Sequence, residues 1–305
     1  MKQIMISASV AAESLPMRVF RKLGMDPIAW SLRRLYCPVG REALVLEVGS
    51  GASPYFRANV LCDAYEETQE RFYAHLVHDR PTILAFGERL PFKDGSFDFV
   101  IASHVLEHSA EPEKFLSEIQ RVGKAGYIEV PDAFMERLTH YGFHRLEISD
   151  VDNQLVIRKK KHYIQDEEVV GLFHNKARSI FPNWVSRFPF HFHVRYFWNR
   201  ESGGIKYRIL NPACDASWEG PQSSAAELVQ NPAPMAIVKQ RILAVIRRLF
   251  SQNSRNKSLD LLSLLECPNC HRQSFKLQGG YAVCEGCQAK HSVYLPCGNG
   301  NSIPA

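Results

Sequence analysis

The chain has 305 residues, with 37 lysines and arginines against 32 aspartates and glutamates, so its net charge is +5 at pH 7. Hydrophobic residues make up 45% of it, and no apolar run approaches the ~18 residues of a membrane span. The N-terminal segment has a short, serine-interrupted apolar stretch rather than a secretory signal. We therefore expect a cytoplasmic protein without a transmembrane segment. The charge is too small for a dedicated nucleic-acid binder but permits an acidic partner.

Hydrophobic periodicity first predicts an N-terminal helical cap, residues 1–40, because apolar residues recur near helical spacing there. From Leu44 onward, short apolar runs alternate with polar or helical segments, which indicates a mainly parallel sheet with helices on its faces. We expect this α/β core, residues 41–160, to be a Rossmann-like domain with a seven-stranded sheet. A hairpin around Asp150–Asn153 is predicted to close that sheet with an antiparallel strand.

Three further segments follow the core. Residues 161–210 are rich in Phe, Trp, Tyr and His and are predicted to cover its pocket. Residues 211–257 are predicted to be a linker with a basic amphipathic helix over 235–250. That helix either packs its apolar side on the domain or makes peripheral contact with a membrane. The last segment, 258–305, differs in composition and is predicted to be a separate small β domain.

A glycine-rich turn follows the first strand of the core, where Leu44–Val48 runs into Gly49-Ser50-Gly51-Ala52-Ser53-Pro54. Glycines in such a turn let the backbone approach a ligand closely. A dinucleotide site requires a third glycine at the position of Pro54, so that a helix N-terminus can approach the pyrophosphate. S-adenosylmethionine (SAM) has no phosphate, and Glu47 suits its cationic amino-acid group. We therefore predict binding of SAM rather than NAD, with Asp63 accepting the ribose hydroxyls.

Residues 41–160 also resemble class I SAM-dependent methyltransferases of the methyltransferase 11 type, and the runs EVGSG, LPFKDGSFD and VLEH carry the resemblance. The resemblance implies a set of cofactor-binding residues, namely Glu47, Gly49, Gly51, Asp63, Phe86, Gly87, Glu88, Ser103 and His104. It puts Ser103 and His104 beside the sulfonium. The family usually has an acid at the position of Phe86, which binds the adenine amine. Phe86 can stack on adenine but cannot accept its proton, which leaves a non-catalytic SAM-binding protein as an alternative.

Methyl transfer from a sulfonium is an in-line displacement, so the protein aligns donor and nucleophile and supplies a base where the nucleophile is protonated. The candidate catalytic residues are His104, His108 and His144, with Glu107, His191 and His193 as further titratable groups. Packing or capping by His108 and a plain loop role for His144 stay open. Certain quinone O-methyltransferases hold a divalent ion with a pair similar to Glu107-His108. They also have an acid where His104 stands, which argues against a metal here.

Two CxxC pairs lie near the C-terminus, and Cys267, Cys270, Cys284 and Cys287 form the pattern C-x2-C-x13-C-x2-C. Four thiolates at this spacing predict a structural zinc ion with no open coordination position. The segment resembles the short zinc-ribbon proteins that activate tRNA, rRNA and release-factor methyltransferases, which implies docking on the core or on a partner. Zinc should supply most of the folding free energy of so short a segment. Its loss should leave the SAM site nearly intact unless the ribbon docks on the core.

Three functions follow from these patterns. The first is a SAM-dependent methyltransferase for a small-molecule or glycan acceptor, because similar layouts occur in bacterial secondary and cell-surface metabolism. The second is an RNA or protein methyltransferase, which the ribbon and the basic helix favour. The third is the non-catalytic SAM-binding protein. The exit of the fourth strand, Ala102-Ser103-His104, lacks the [DN]PP[YF] run of enzymes that methylate exocyclic base nitrogens or glutamine amides.

Overall fold

The computed structural model describes residues 13–139, 141–163, 166–220, 245–246 and 249–296. They fall into two compact units, which we call unit 1 and unit 2. Unit 1 takes its described residues from Met1–Arg41, Ala102–Glu113 and Ala125–Pro221, and unit 2 from Glu42–Ile101, Lys114–Lys124 and Gln222–Ala305. The helix predicted over 235–250 lies almost wholly outside the described residues. The segment limits expected from the sequence stay predictions.

The helices are Leu15–Lys22 (α1), Asp26–Leu32 (α2), Pro112–Val122 (α3), Ala133–Thr139 (α4), Glu167–Lys176 (α5), Phe181–Arg187 (α6) and Asn253–Ser258 (α7). The strands are Val45–Val48 (β1), Val60–Asp63 (β2), Thr82–Leu84 (β3), Phe99–Ser103 (β4), Ala125–Pro131 (β5), Leu146–Val151 (β6), Gln154–Lys159 (β7), His193–Asn199 (β8), Tyr207–Ile209 (β9), Phe275–Gln278 (β10), Tyr281–Cys284 (β11) and Lys290–Tyr294 (β12). No helix within the described ranges is long and apolar enough to cross a membrane.

Three parallel strands form the centre of unit 2. β1 pairs with β2 and β2 with β3, so that Leu46 lies opposite Val60 and Cys62 opposite Ile83. Every residue of β1 and β2 is buried, as expected for short apolar strands covered on both faces. Helix α3 buries the apolar residues that recur at helical spacing along it, namely Phe115, Leu116, Ile119 and Val122.

The cysteine-rich segment continues the sheet of unit 2. β10, β11 and β12 form an antiparallel meander, and β12 pairs antiparallel with β3, with Val293 opposite Ile83. The Lys93 N–H also donates to the Leu264 carbonyl at 3.0 Å. The segment therefore differs from the core in composition but shares its sheet.

Unit 1 contains an antiparallel strand pair and a small sheet. β5 and β8 pair along their whole lengths. β6 and β7 form the predicted hairpin, and its turn residues Asp152 and Asn153 have φ angles of 53° and 58°. Two such left-handed residues are typical of the tight turns that follow the twist of a hairpin. β7 pairs on its other side with β9, in parallel.

The predicted seven-stranded sheet was wrong in composition. Within unit 1, the hairpin lies in a separate three-stranded sheet with β9 and does not pair with β5. The antiparallel partner of β5 is β8, which lies in the segment expected to cover the pocket. β8 alternates the buried Val194, Tyr196 and Trp198 with partly exposed residues. That alternation is a strand signal, but histidines and aromatic residues on both faces obscure it.

Candidate functional site

The glycine turn of unit 2 has the backbone that its sequence requires. Gly49 and Gly51 have φ angles of 72° and 55°, a left-handed conformation that favours glycine. The Gly49 N–H donates to the Cys62 carbonyl at 2.9 Å, and the Gly51 N–H donates to the Asp63 carboxylate at 2.8 Å. The turn is therefore tied to the end of β2 by one backbone and one side-chain hydrogen bond.

Asp63 also holds the chain that follows β2. Its other carboxylate oxygen accepts the Tyr65 N–H at 3.2 Å and pairs with the Arg71 guanidinium at 3.3 Å. The Val77 N–H donates to the Gly51 carbonyl at 3.1 Å, so segment 65–77 folds back against the turn. The structure thus shows Asp63 organising the turn, and its contact with a ribose stays a prediction.

The remaining predicted cofactor residues of unit 2 occupy contrasting positions. Glu47 is buried at 2% exposure and accepts the Tyr55 N–H at 2.7 Å, which fixes the chain just after the turn. Phe86 is 53% exposed and meets the Tyr65 ring edge-on, with centroids 5.5 Å apart. A Cβ on Gly87 would lie 2.3 Å from the Phe115 ring, so only glycine fits there. Glu88 is half-buried.

His104 of unit 1 lies between two buried carboxylates and has a strained backbone. Its φ is 55°, which is uncommon for a residue with a bulky side chain. Its Nε2 lies 3.4 Å from Glu129 Oε1 and its Nδ1 lies 3.5 Å from Glu107 Oε1. Desolvation opposes the imidazolium, but the close approach and negative charge of both carboxylates outweigh it and raise the His104 pKa to about 9. His104 therefore carries a positive charge at neutral pH.

Glu129 is the functional candidate that sequence reasoning missed. The Arg33 guanidinium donates two hydrogen bonds to the Glu129 carboxylate, of 2.8 and 2.9 Å. The hydroxyls of Tyr127 and Ser103 also donate to it. Burial alone would raise the Glu129 pKa, but His104 and Arg33 hold it well below the usual range. A lone acid inside the apolar run Gly126-Tyr-Ile-Glu-Val was the available signal, because buried carboxylates need partners.

A second cluster in unit 1 brings together two predicted catalytic residues, His108 and His144. Their rings are nearly perpendicular, with centroids 4.8 Å apart. His144 is 6% exposed, and its Nδ1 lies 2.6 Å from Glu136, which also binds Lys160 at 2.8 Å. Burial, followed by the nearby His144, lowers the His108 pKa to about 3. Donor atoms of Glu107, His108 and His144 all lie within 4.8 Å of one another.

A cavity of about 590 Å³ in unit 1 contains the other two predicted histidines. Its lining is mostly polar and consists of Arg21, Asp132, Ser149, Asp150, Phe190, His191, His193, Val194 and Arg195. The His193 ring lies 5.4 Å from that of His104, between centroids. His191 and His193 are therefore cavity residues, and His193 connects the cavity with His104.

The four cysteines of unit 2 converge on one point. Cys267 Sγ lies 3.4 Å from Cys287 Sγ, and Cys270 Sγ lies 3.5 Å from Cys284 Sγ. Four sulfurs at ~2.3 Å from a tetrahedral zinc ion lie about 3.8 Å apart, so this geometry fits the ion with small adjustments. The Gly286 N–H points at Cys284 Sγ from 3.4 Å, a contact that favours a thiolate. The donor set is compatible with a zinc ribbon.

Comparison with known proteins places the glycine turn within a shared domain. Residues 46–128 match the family model described as "Methyltransferase domain". An uncharacterized methyltransferase of Mycobacterium leprae is 28% identical over 208 residues, which cover 60% of this chain and 76% of the relative. An uncharacterized protein of Methanocaldococcus jannaschii is 50% identical over 96 residues, covering 30% of this chain and 43% of that protein. The chain thus spans less than half the length of this last relative.

Among solved structures, one match is the complex between the Haloferax volcanii Trm112 methyltransferase activator and a methyltransferase. It is 18% identical, with a TM-score of 0.30, and the match covers 43% of this chain and 75% of that one. Both the family model and the mycobacterial relative are thus methyltransferases by description. The acceptor is not identified by these similarities.

Proposed function

We propose that the chain is a SAM-dependent methyltransferase that binds its methyl donor at the glycine turn of unit 2. The observation that carries this proposal is the turn itself, in which two left-handed glycines follow β1 and Asp63 anchors the second of them. An open backbone turn with a carboxylate at the next strand end suits a ligand that has a ribose but no phosphate. The family match over residues 46–128 includes every one of these groups.

Calorimetry with S-adenosylhomocysteine and with NAD tests the choice of cofactor. We expect S-adenosylhomocysteine to bind and NAD to give no saturable heat, because Pro54 stands where a pyrophosphate site needs glycine. Tighter binding of NAD than of S-adenosylhomocysteine would contradict the proposal.

For the acceptor, we propose a polyhydroxylated small molecule or a glycan that binds in the cavity of unit 1. A volume of about 590 Å³ lies within the range of small-molecule sites. Asp132 and Asp150 can accept hydrogen bonds from sugar hydroxyls, and the Phe190 ring offers an apolar face to a pyranose. His193 connects this cavity with His104, which the resemblance puts beside the sulfonium. Catalytic roles of His104, His108 and His144 stay predictions.

The acceptor class can be tested with radiolabelled SAM and cell extracts separated into small molecules, glycans, RNA and protein. We expect label in the small-molecule or glycan fraction, resistant to ribonuclease and protease. The Asp132→Asn variant should have a higher KM for the acceptor in that fraction. The Asp152→Asn variant, in the exposed hairpin turn, should have the same KM as the wild type. Label that ribonuclease or protease releases would favour the RNA or protein methyltransferase instead.

We further propose that the four cysteines bind one structural zinc ion, a proposal supported by their spacing and by the convergence of their sulfurs. With all four positions filled by thiolates, the ion would hold the segment together and would not touch a substrate. Elemental analysis of protein purified without chelators should give about one zinc per chain at this site. Four freely reactive thiols with no bound zinc would contradict this proposal.

A further inference from the structure

We propose that Glu107, His108 and His144 bind a divalent transition-metal ion, at a site distinct from the four cysteines. One donor atom of each residue lies within 4.8 Å of the donor atoms of the other two. Glu107 and His108 belong to the short 3₁₀ turn Leu106–His108, and His144 comes from the loop before β6. All three belong to unit 1. The proposal does not depend on methyl transfer.

Glu107 is the strongest indication of a missing cation. Its side chain is 2% exposed, and neither carboxylate oxygen has a hydrogen-bond partner among the described residues. His104 Nδ1 approaches Oε1 only to 3.5 Å. A buried carboxylate normally accepts several hydrogen bonds, because it loses its water on folding. A metal ion at the cluster would satisfy the oxygens that the protein leaves unsatisfied.

His144 is oriented as a metal ligand. Its Nδ1 lies 2.6 Å from Glu136 Oε2, and a carboxylate can only accept, so Nδ1 carries the proton. In the neutral ring the lone pair is then on Nε2, the nitrogen available to a cation. The Glu136 charge is balanced by Lys160, whose Nζ lies 2.8 Å from Oε1 and is itself buried. A carboxylate behind a ligating histidine is the common supporting contact of protein metal sites.

The donor set indicates which ions fit. Two imidazoles and one carboxylate suit borderline cations such as Zn²⁺, Co²⁺ or Fe²⁺ better than Mg²⁺ or Ca²⁺, which prefer oxygen alone. Ligand atoms ~2.1 Å from a tetrahedral ion lie about 3.4 Å apart, so donor atoms up to 4.8 Å apart need to close by at most roughly 1.4 Å. Three protein ligands also leave coordination positions for water or another oxygen ligand, unlike the closed cysteine site.

In the sequence, His104 argues against a metal, because it occupies the position of the acid that accompanies a similar Glu-His pair in certain quinone O-methyltransferases. The structure supplies a different third ligand, since the loop before β6 brings His144 back to the pair. Because His144 is distant in sequence from Glu107 and His108, the local Glu-His motif could not predict this contact.

The test is a Co²⁺ titration of the full-length chain after its cysteine site has been loaded with zinc. We expect one equivalent of Co²⁺ to bind, with visible d–d absorption and without a thiolate charge-transfer band. Glu107→Gln, which keeps the shape of the side chain, and His144→Ala should abolish binding or weaken it at least tenfold. Glu136→Gln should weaken it by ~10- to 100-fold through the orientation of His144. His174→Ala, on the exposed side of α5, should bind like the wild type.

Circular dichroism decides which variants are folded before they are titrated. If His144→Ala does not fold, the isosteric Glu107→Gln variant decides the matter. The proposal is overturned if the wild type takes up no Co²⁺ beyond the cysteine site. It is also overturned if a folded Glu107→Gln variant binds Co²⁺ as tightly as the wild type.

Discussion

At the end of β2, the Asp63 carboxylate accepts the Gly51 N–H and pairs with Arg71. These contacts occupy both carboxylate oxygens, the same atoms that would accept hydrogen bonds from ribose hydroxyls. We expect Asp63→Ala to weaken binding of S-adenosylhomocysteine by ~1–3 kcal/mol, because it removes the hydroxyl acceptor and releases the glycine turn. Arg71→Met, which vacates one of the oxygens, should bind equally well or more tightly. If the Asp63→Ala variant has the same dissociation constant as the wild type, the ribose hydroxyls are not bound by Asp63.

A second prediction at this scale concerns the buried ion pair of Arg33 and Glu129. Their side chains are 9% and 0% exposed and share two hydrogen bonds. Arg33→Met should lower the free energy of unfolding by ~3–5 kcal/mol, because it leaves a buried carboxylate without its main counter-charge. Urea denaturation measures this, with the exposed Arg178→Met as the control, expected within ~0.5 kcal/mol of wild type. Equal stability of the two variants would show that Tyr127 and Ser103 suffice.

The predictability of these residues follows from the sequence distance over which they interact. The glycine turn and the CxxC pairs are local patterns, and the structure brings their members together as expected. Arg33 and Glu129 are 96 residues apart, and no local pattern links them. His144 likewise joins Glu107 and His108 through the return of the chain before β6. Spacing could name the candidate residues but not these partners.

At the scale of secondary structure, the alternation of short apolar runs with helical segments predicted the parallel strands. Continuously apolar runs are typical of strands that are covered on both faces, as in a parallel sheet. It also predicted the hairpin of β6 and β7, whose Asp-Asn turn is a local signal. Which strand pairs with β5 was not predictable from it. Both the hairpin and β8 carry suitable alternation, and the choice depends on tertiary contacts that the sequence pattern does not encode.

The pairing of β12 with β3 changes what loss of the ribbon metal should do. β3 leads directly into Phe86 and Gly87, which the resemblance puts at the adenine. If the ribbon strands come apart without zinc, β3 loses a hydrogen-bonded neighbour and its exit loop becomes less ordered. Cys267→Ser should therefore weaken S-adenosylhomocysteine binding by roughly 5- to 150-fold, the usual range for coupled sites. Calorimetry measures the change, and Cys214→Ser of unit 1 is the matched control.

An unchanged affinity in folded Cys267→Ser protein would restore the expectation that the ribbon and the SAM site are independent. The hydrogen bond from Lys93 to Leu264 argues for coupling, because it ties the chain shortly after Phe86 and Gly87 to the segment that carries the cysteines.

At the scale of the whole chain, the alternation of apolar runs with helical segments predicted an α/β protein, and the described residues contain both helices and strands. No apolar run in the sequence was long enough for a membrane span, and no described helix is long and apolar enough to cross a membrane. These patterns could not predict that the last segment shares a sheet with the core. A short domain with its own metal site is usually self-contained, but the ribbon segment also uses β3 as part of its fold. If the four cysteines bind zinc as proposed, the free energies of zinc binding and of folding of unit 2 are linked.

If the four cysteines bind zinc, the pairing of β12 with β3 also makes the zinc supply a determinant of solubility. Without β12, β3 would present an outer row of unpaired N–H and C=O groups, and such open edges recruit strands from other chains. Zinc-depleted protein should therefore associate with itself in a concentration-dependent way, which sedimentation velocity before and after chelation and zinc repletion would measure. A sedimentation profile independent of zinc would contradict this. In a zinc-starved cell, the chain would then aggregate first, and its activity would be lost as a result.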